Sequence, residues 1–473
     1  MSNKPRISRR SLFAYAPAAG AAALAGAAYA QGGAPSGGPK PPSGDFVIRN
    51  AHVVSMDPQV GDLAKGDVVV RAGKIEAVAA SAAAPDLAEI DGAGMICFPG
   101  MVDTHQHMWT TPFRGLVNEA AATSYGAAKP QLGPVSTPED MYAAHMLAMT
   151  AALYAGVTTS NNLNHNCRGA GHSDAVLQAM VDSGQRGRFS FGMYDGLPAT
   201  QLMDFKEIAR VQKRVQKGMG DGRVSFGVFL RGPSKDDSSV FVQEVKKAKS
   251  MGLPISIDGA NDLTVQLLGD NKALAGTVLV HCNNMGEAGR KAMAAGGAAH
   301  SCATWSELSA VLGMPVFLEM RRDGVLVSLS IDTVASPSDS NMFGLARITS
   351  VLAHTLEKDQ FHFTHKTALE MATVNGAKAL GLGDKIGSLT PGKRADLILV
   401  RTASLNLSPA PNLNPYRLLL SAQAEDVDSV FVDGRAVKYR GALTNVDPQK
   451  VIADASKSLT EMRARANWPS GPF

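Results

Sequence analysis

The sequence predicts a (β/α)8 barrel joined to a small β-sandwich built from both chain ends. Three observations carry that expectation. Short β-type runs cluster at the two ends, a long middle alternates apolar runs with helical patterns, and the run that enters this middle, Phe98-Pro-Gly-Met-Val-Asp-Thr-His-Gln-His107, closes on two histidines one residue apart.

The first thirty residues stand apart from that architecture. Ser8-Arg9-Arg10-Ser11-Leu12-Phe13 precedes an apolar run of small residues that closes with Ala28-Tyr29-Ala30, the form of a twin-arginine export signal cleaved before Gln31. The expected location is therefore periplasmic or secreted. Ala and Gly make the run too weakly apolar for a firm membrane span, so the mature chain is expected to carry no stable one. Residues 31–44, rich in Gly, Pro and Ser, read as a flexible linker.

Residues 45–96 hold β-type runs at 46–48, 68–70 and 74–78 between Gly and Asp turns, the first part of the sandwich. Residues 386–445 repeat the style at 395–400 and 430–435 and supply its second part, and 446–473 read as a helical tail. Between them, residues 97–385 alternate strand candidates at 157–162, 188–193, 224–230, 254–258, 277–281 and 325–332 with helical patterns such as 141–154, 173–183 and 241–251. Parallel strands need such crossovers, and close to eight units fit this span.

Composition narrows the function. A chain of 473 residues with 45% hydrophobic content can bury a large catalytic domain. A net charge of +4 with interspersed signs gives no footprint for nucleic acid, so the expected partner is a small molecule. A homo-oligomer stays open. Cys97, Cys167, Cys282 and Cys302 show no C-x-x-C spacing, which argues against both a zinc knuckle and a disulfide framework.

On a strand, residues i and i+2 face the same side, so His105 and His107 present both imidazoles to one space. That arrangement suits a divalent metal at the mouth of a barrel, although two ordinary strand histidines would give the same spacing.

Phe98-Pro-Gly-Met-Val-Asp-Thr-His-Gln-His107, Gly156-Val-Thr-Thr159, Ala372-Thr-Val-Asn-Gly-Ala377 and Ile386-Gly-Ser-Leu-Thr-Pro-Gly-Lys-Arg-Ala-Asp-Leu397 resemble, in this order, the amidohydrolase superfamily, and within it the cytosine-deaminase and triazine-hydrolase (chlorohydrolase) branch. The likeness runs from about residue 45 to 440. It implies a metal-dependent hydrolase on a distorted TIM barrel with a β-sandwich. His105 and His107 match the first-strand metal ligands, Asp332 the last-strand aspartate that binds metal and takes a proton from water, and His281 the histidine that meets substrate or developing charge.

The fifth strand departs from the pattern. Pro254-Ile-Ser-Ile-Asp-Gly-Ala-Asn261 puts Asp258 where a metal histidine is expected and Asn261 where deaminases carry a proton-shuttling glutamate. An oxygen ligand at Asp258 adds negative charge and shifts the preference toward harder metals; zinc stays the expected ion, with iron or manganese as alternatives. Without the glutamate, simple nucleobase deamination is disfavoured. No lysine lies in the fourth strand candidate, which points to one metal rather than a carbamate-bridged pair.

Trp109, Phe113 and Arg114 follow the histidine pair, where an aromatic beside a guanidinium can hold a planar, polar substrate. His165, Asn261, Trp305 and Glu307 are further candidate substrate contacts. A surface-loop position is the default for His165, His172 and His300, and a solvated helix face for His145, His354, His362 and His365. The expected reaction is hydrolysis of a carbon–nitrogen bond other than a peptide bond in a small aromatic or heterocyclic molecule: an amide, cyclic amide, carbamate or amino-heterocycle. Hydrolytic dehalogenation, a lyase reaction on the same scaffold, and a noncatalytic binding protein with a degenerate metal site are the alternatives.

Overall fold

Eight parallel strands with helical crossovers form a barrel: β1 (Met101–Gln106), β2 (Val157–Asn164), β3 (Arg186–Gly192), β4 (Val224–Leu230), β5 (Ile255–Ile257), β6 (Val278–Val280), β7 (Ala299–Cys302) and β8 (Leu326–Leu329). The computed structural model describes residues 41–468 apart from 43, 118–119, 337 and 410–413. The expected export signal, and most of the expected linker, lie outside the described residues.

Each strand candidate of the middle segment is a strand, with ends shifted by a few residues. The exception is β7, which the sequence did not announce. Ala299-His-Ser-Cys302 is short, polar and free of β-branched residues, so nothing in its pattern competes with a loop reading. His300 therefore lies fully buried in a strand rather than on the surface.

The barrel is paired continuously from β1 round to β8, but the seam between those two strands is made differently. Near the mouth, His107 N donates to Asp332 O at 2.7 Å and Asp332 N to His105 O at 2.9 Å. Asp103 Oδ1 accepts from Ile331 N at 3.0 Å. Lower down, Val102 N donates instead to Ala372 O at 2.9 Å, so the segment leading into helix Val374–Ala379 covers the gap. Gly376 makes this possible, because a Cβ there would lie 2.9 Å from Val102 O. The Ala372–Ala377 motif is thus a seam-covering device.

The two chain ends meet in one mixed nine-stranded sheet. Met95–Pro99 pairs antiparallel with Leu397–Arg401, and Phe46–Val54 lies on its other side. The passage from sheet to barrel falls at Gly100, where a Cβ would collide with the Thr158 side chain. Buried Arg186 of β3 ties the two parts together through Asp396 (2.7 Å) and Asp433. Helix Pro448–Arg465 packs back on helix Pro138–Tyr154, with Asp140 receiving both Ser458 and Arg465. No helix among the described residues is long and apolar enough to cross a membrane.

Candidate metal centre

The strand ends of β1, β5, β6 and β8 bring His105, His107, Asp258, His281 and Asp332 to one point at the barrel mouth. Period-two geometry aims both β1 imidazoles inward, and their Nε2 atoms stand 3.1 Å apart. His107 Nε2 lies 3.2 Å from Asp258 Oδ2 and 3.6 Å from Asp332 Oδ1. His105 Nε2 lies 4.0 Å and 3.7 Å from the same two oxygens. His281 Nε2 reaches Asp258 Oδ1 at 3.2 Å and Asp332 Oδ2 at 3.8 Å.

The backbone bends sharply to achieve this. His281 and Asp332 both hold left-handed φ angles of 64°, and Gly259, just after Asp258, has φ 70°. Non-glycine residues adopt this region at a cost of order 1–3 kcal/mol, and such strain collects at functional sites.

A cation fits this donor set. His107 Nδ1 lies 2.9 Å from Leu163 O, which assigns the ring proton to Nδ1 and leaves Nε2 with a bare lone pair. That lone pair faces a carboxylate oxygen and the Nε2 of His105, whose pKa is pushed down to about 4 by burial and by His107. Acceptors converging on acceptors call for a positive charge between them. The spacings match it too, since metal–ligand bonds of about 2.0–2.2 Å set tetrahedral donors roughly 3.5 Å apart. Burial pushes the Asp258 carboxyl upward, but the hydrogen bond from His281 Nε2 and the His281 charge outweigh it and hold the group well below the usual range. His281 moves the opposite way: burial lowers it, while Asp258 and Glu307 raise it well above an ordinary histidine.

Glu307 is buried behind His281 rather than in the cavity. Its Oε1 receives His281 Nδ1 at 3.1 Å and Ala303 N at 2.8 Å, so it orients the ring. His165 corrects the surface-loop expectation. It is buried edge-on against His107, with ring centroids 4.4 Å apart, and Trp109 Nε1 approaches it at 3.3 Å. Trp109 and Phe113 are also buried, in the turn Met108–Phe113, and pack on each other and on this histidine rather than lining the cavity. Arg114 and Trp305 are exposed and do not line it either. Asn261 does, although its side chain caps helix Asp262–Asp270 through Thr264 N at 3.0 Å.

The cavity above the centre measures about 810 Å³ and is lined by His107, Asp258, His281 and Asp332 at its floor. Sequence reasoning missed Tyr125, Lys129 and Lys235 on its walls. They come from the segments after β1 and β4, which carry no motif; only the folded position shows them.

Residues 96–437 match the sequence profile of the Amidohydrolase family. A 5'-deoxyadenosine deaminase of Methanosarcina mazei is 29% identical over 444 residues, spanning 89% of this chain and 99% of that protein. A 5-methylthioadenosine/S-adenosylhomocysteine deaminase of Desulforudis audaxviator is 28% identical over 440 residues, spanning 88% and 99%. Among solved structures, an adenosine deaminase of Xanthomonas campestris with bound zinc shares the fold at a TM-score of 0.79 and 23% identity, over 90% of this chain and 100% of its own. A triazine hydrolase variant does so at 0.77 and 19%, over 88% and 100%.

Proposed function

Because the chain belongs to the amidohydrolase family and is a hydrolase of carbon–nitrogen bonds other than peptide bonds, we propose that His105, His107, Asp258 and Asp332 hold one divalent ion and that the site opens an amide, cyclic amide or carbamate of a small aromatic or heterocyclic molecule. The observation that carries this reading is the convergence of these four side chains, within which His105, His107 and Asp332 place their ligand atoms within 4.8 Å of one another. Two imidazoles with two carboxylates suit zinc, and admit iron or manganese. When bound, the ion lowers the pKa of the attacking water and draws charge from the electrophile. Asp332 accepts the proton of that water at a carboxylate oxygen. His281, its ring fixed by Glu307, donates from Nε2 to the charge that develops on the attacked group. Asp332 then returns its proton to the leaving nitrogen.

Purine deamination is the second reading, favoured by the names of the curated relatives. The chain departs from it at Asn261, which caps a helix where a proton-carrying glutamate would stand. Assaying 5'-deoxyadenosine for ammonia release beside a panel of cyclic amides and carbamates separates the two. Localisation is part of the same proposal: the chain is exported through Arg9-Arg10, and replacing both with Lys should leave it in the cytoplasmic fraction.

Elemental analysis is the direct test. The protein is expected to carry about one equivalent of metal, and His107→Ala or Asp258→Ala to lose metal and turnover together. Metal-free protein that still turns over, or Asp258→Ala with full metal content, would overturn the ligand set.

A further inference from the structure

The reading of the barrel mouth as a metal hydrolase site leaves two cations on the cavity wall without a task. Lys129 and Lys235 both line it, and among the described residues neither has a carboxylate within 4 Å. Lys129 is half-buried on the helix Tyr125–Leu132, its Nζ standing 4.9 Å from the centroid of the Tyr125 ring. That contact holds the ammonium over the cavity without neutralising it. The Tyr125 hydroxyl is itself buried and lines the same space.

Charge accounting points the same way. A divalent ion on Asp258 and Asp332 offsets the two carboxylates of the floor. The lining also holds Asp262, one carboxylate to the two lysines, whose two oxygens already receive Gly286 N at 3.1 and 3.2 Å. The loaded cavity therefore carries surplus positive charge on its wall. Leu263, Ala310 and Leu312 give it an apolar stretch as well.

We propose that this cavity takes substrates bearing a carboxylate or phosphate group, which Lys129 and Lys235 hold while the carbon–nitrogen bond lies over the metal centre. A point-charge ammonium suits either anion. The two lysines then select among substrates by charge and steer anions into the mouth, an effect that salt weakens.

The test is calorimetric titration of zinc-loaded protein with benzoate, phenyl phosphate and benzamide, three probes small enough for the cavity, with zinc equivalents measured in each sample. At least one anion is expected to bind about tenfold more tightly than benzamide at low salt; benzoate or phenyl phosphate leading tells carboxylate from phosphate. In the Lys129→Gln/Lys235→Gln double variant, with zinc content and thermal midpoint retained, that ratio should fall close to one. An anion preference absent from the wild type, or surviving in the double variant, overturns the proposal. Protein that takes up neither zinc, iron nor manganese would sink the proposed metal site instead, so the two failures are told apart.

Discussion

At the scale of single residues, the centre depends on how each ligand is held. Glu307 touches His281 Nδ1 and a backbone amide, both with one oxygen. Glu307→Gln is expected to lower kcat by about 10–100-fold while metal content stays intact, because outer partners fix ring orientation and basicity; loss of metal in this variant would mean that the residue has another role. The β1 histidines were legible because period-two spacing is a geometric fact about strands. Three other histidines were not. His145, expected on a solvated helix face, is fully buried with Nδ1 2.6 Å from Met141 O and Nε2 3.2 Å from Asn164 Nδ2. His165 and His300 are buried likewise, and in each case the partner that satisfies or surrounds the ring comes from a distant segment that local pattern cannot reveal. His354 is only part-buried, whereas His362 is exposed and lies outside any helix.

At the scale of elements, strand ends do the positioning. β5, β6 and β8 each stop within a residue or three of a functional side chain, and a left-handed residue then turns the chain over the mouth. Strand candidates read from the sequence overran these ends, since apolar periodicity marks a strand and says nothing about the φ of the residue that leaves it. Asn261 is a second case. At the level of spacing it occupies a catalytic position, and in the fold it is a helix cap. The seam gives a stability prediction. Gly376→Ala would press a methyl against Val102 O at 2.9 Å, lifting helix Val374–Ala379 from β1 at a cost of about 1–3 kcal/mol. Thermal unfolding should show the loss, and an unchanged midpoint would mean that the helix yields without strain.

At the scale of the whole molecule, burial of neutral histidines makes stability depend on pH. The His145 pKa is pushed down to about 4 by burial, against about 6.5 in an unfolded chain. Between these values the unfolded state binds the proton and the folded state does not, so the contribution is complete above about 6.5 and is lost as pH falls toward about 4, on the order of 3 kcal/mol in all. Urea unfolding at neutral pH and in that acid window should show a smaller decline for His145→Gln than for the wild type; equal declines would refute the assignment. The barrel and its companion sheet were legible as a rhythm of apolar runs, and the match of the chain ends as a likeness of style. The pairing was not, because nothing local says that Met95–Pro99 takes Leu397–Arg401 as its neighbour. That pairing has a consequence for synthesis. The strand Met95–Pro99 emerges from the ribosome early, yet its partner is made only after the entire barrel, a delay on the order of 15–60 s at usual elongation rates. Throughout that interval the nascent chain presents an unpaired apolar edge, open to chaperones and to neighbouring nascent chains alike.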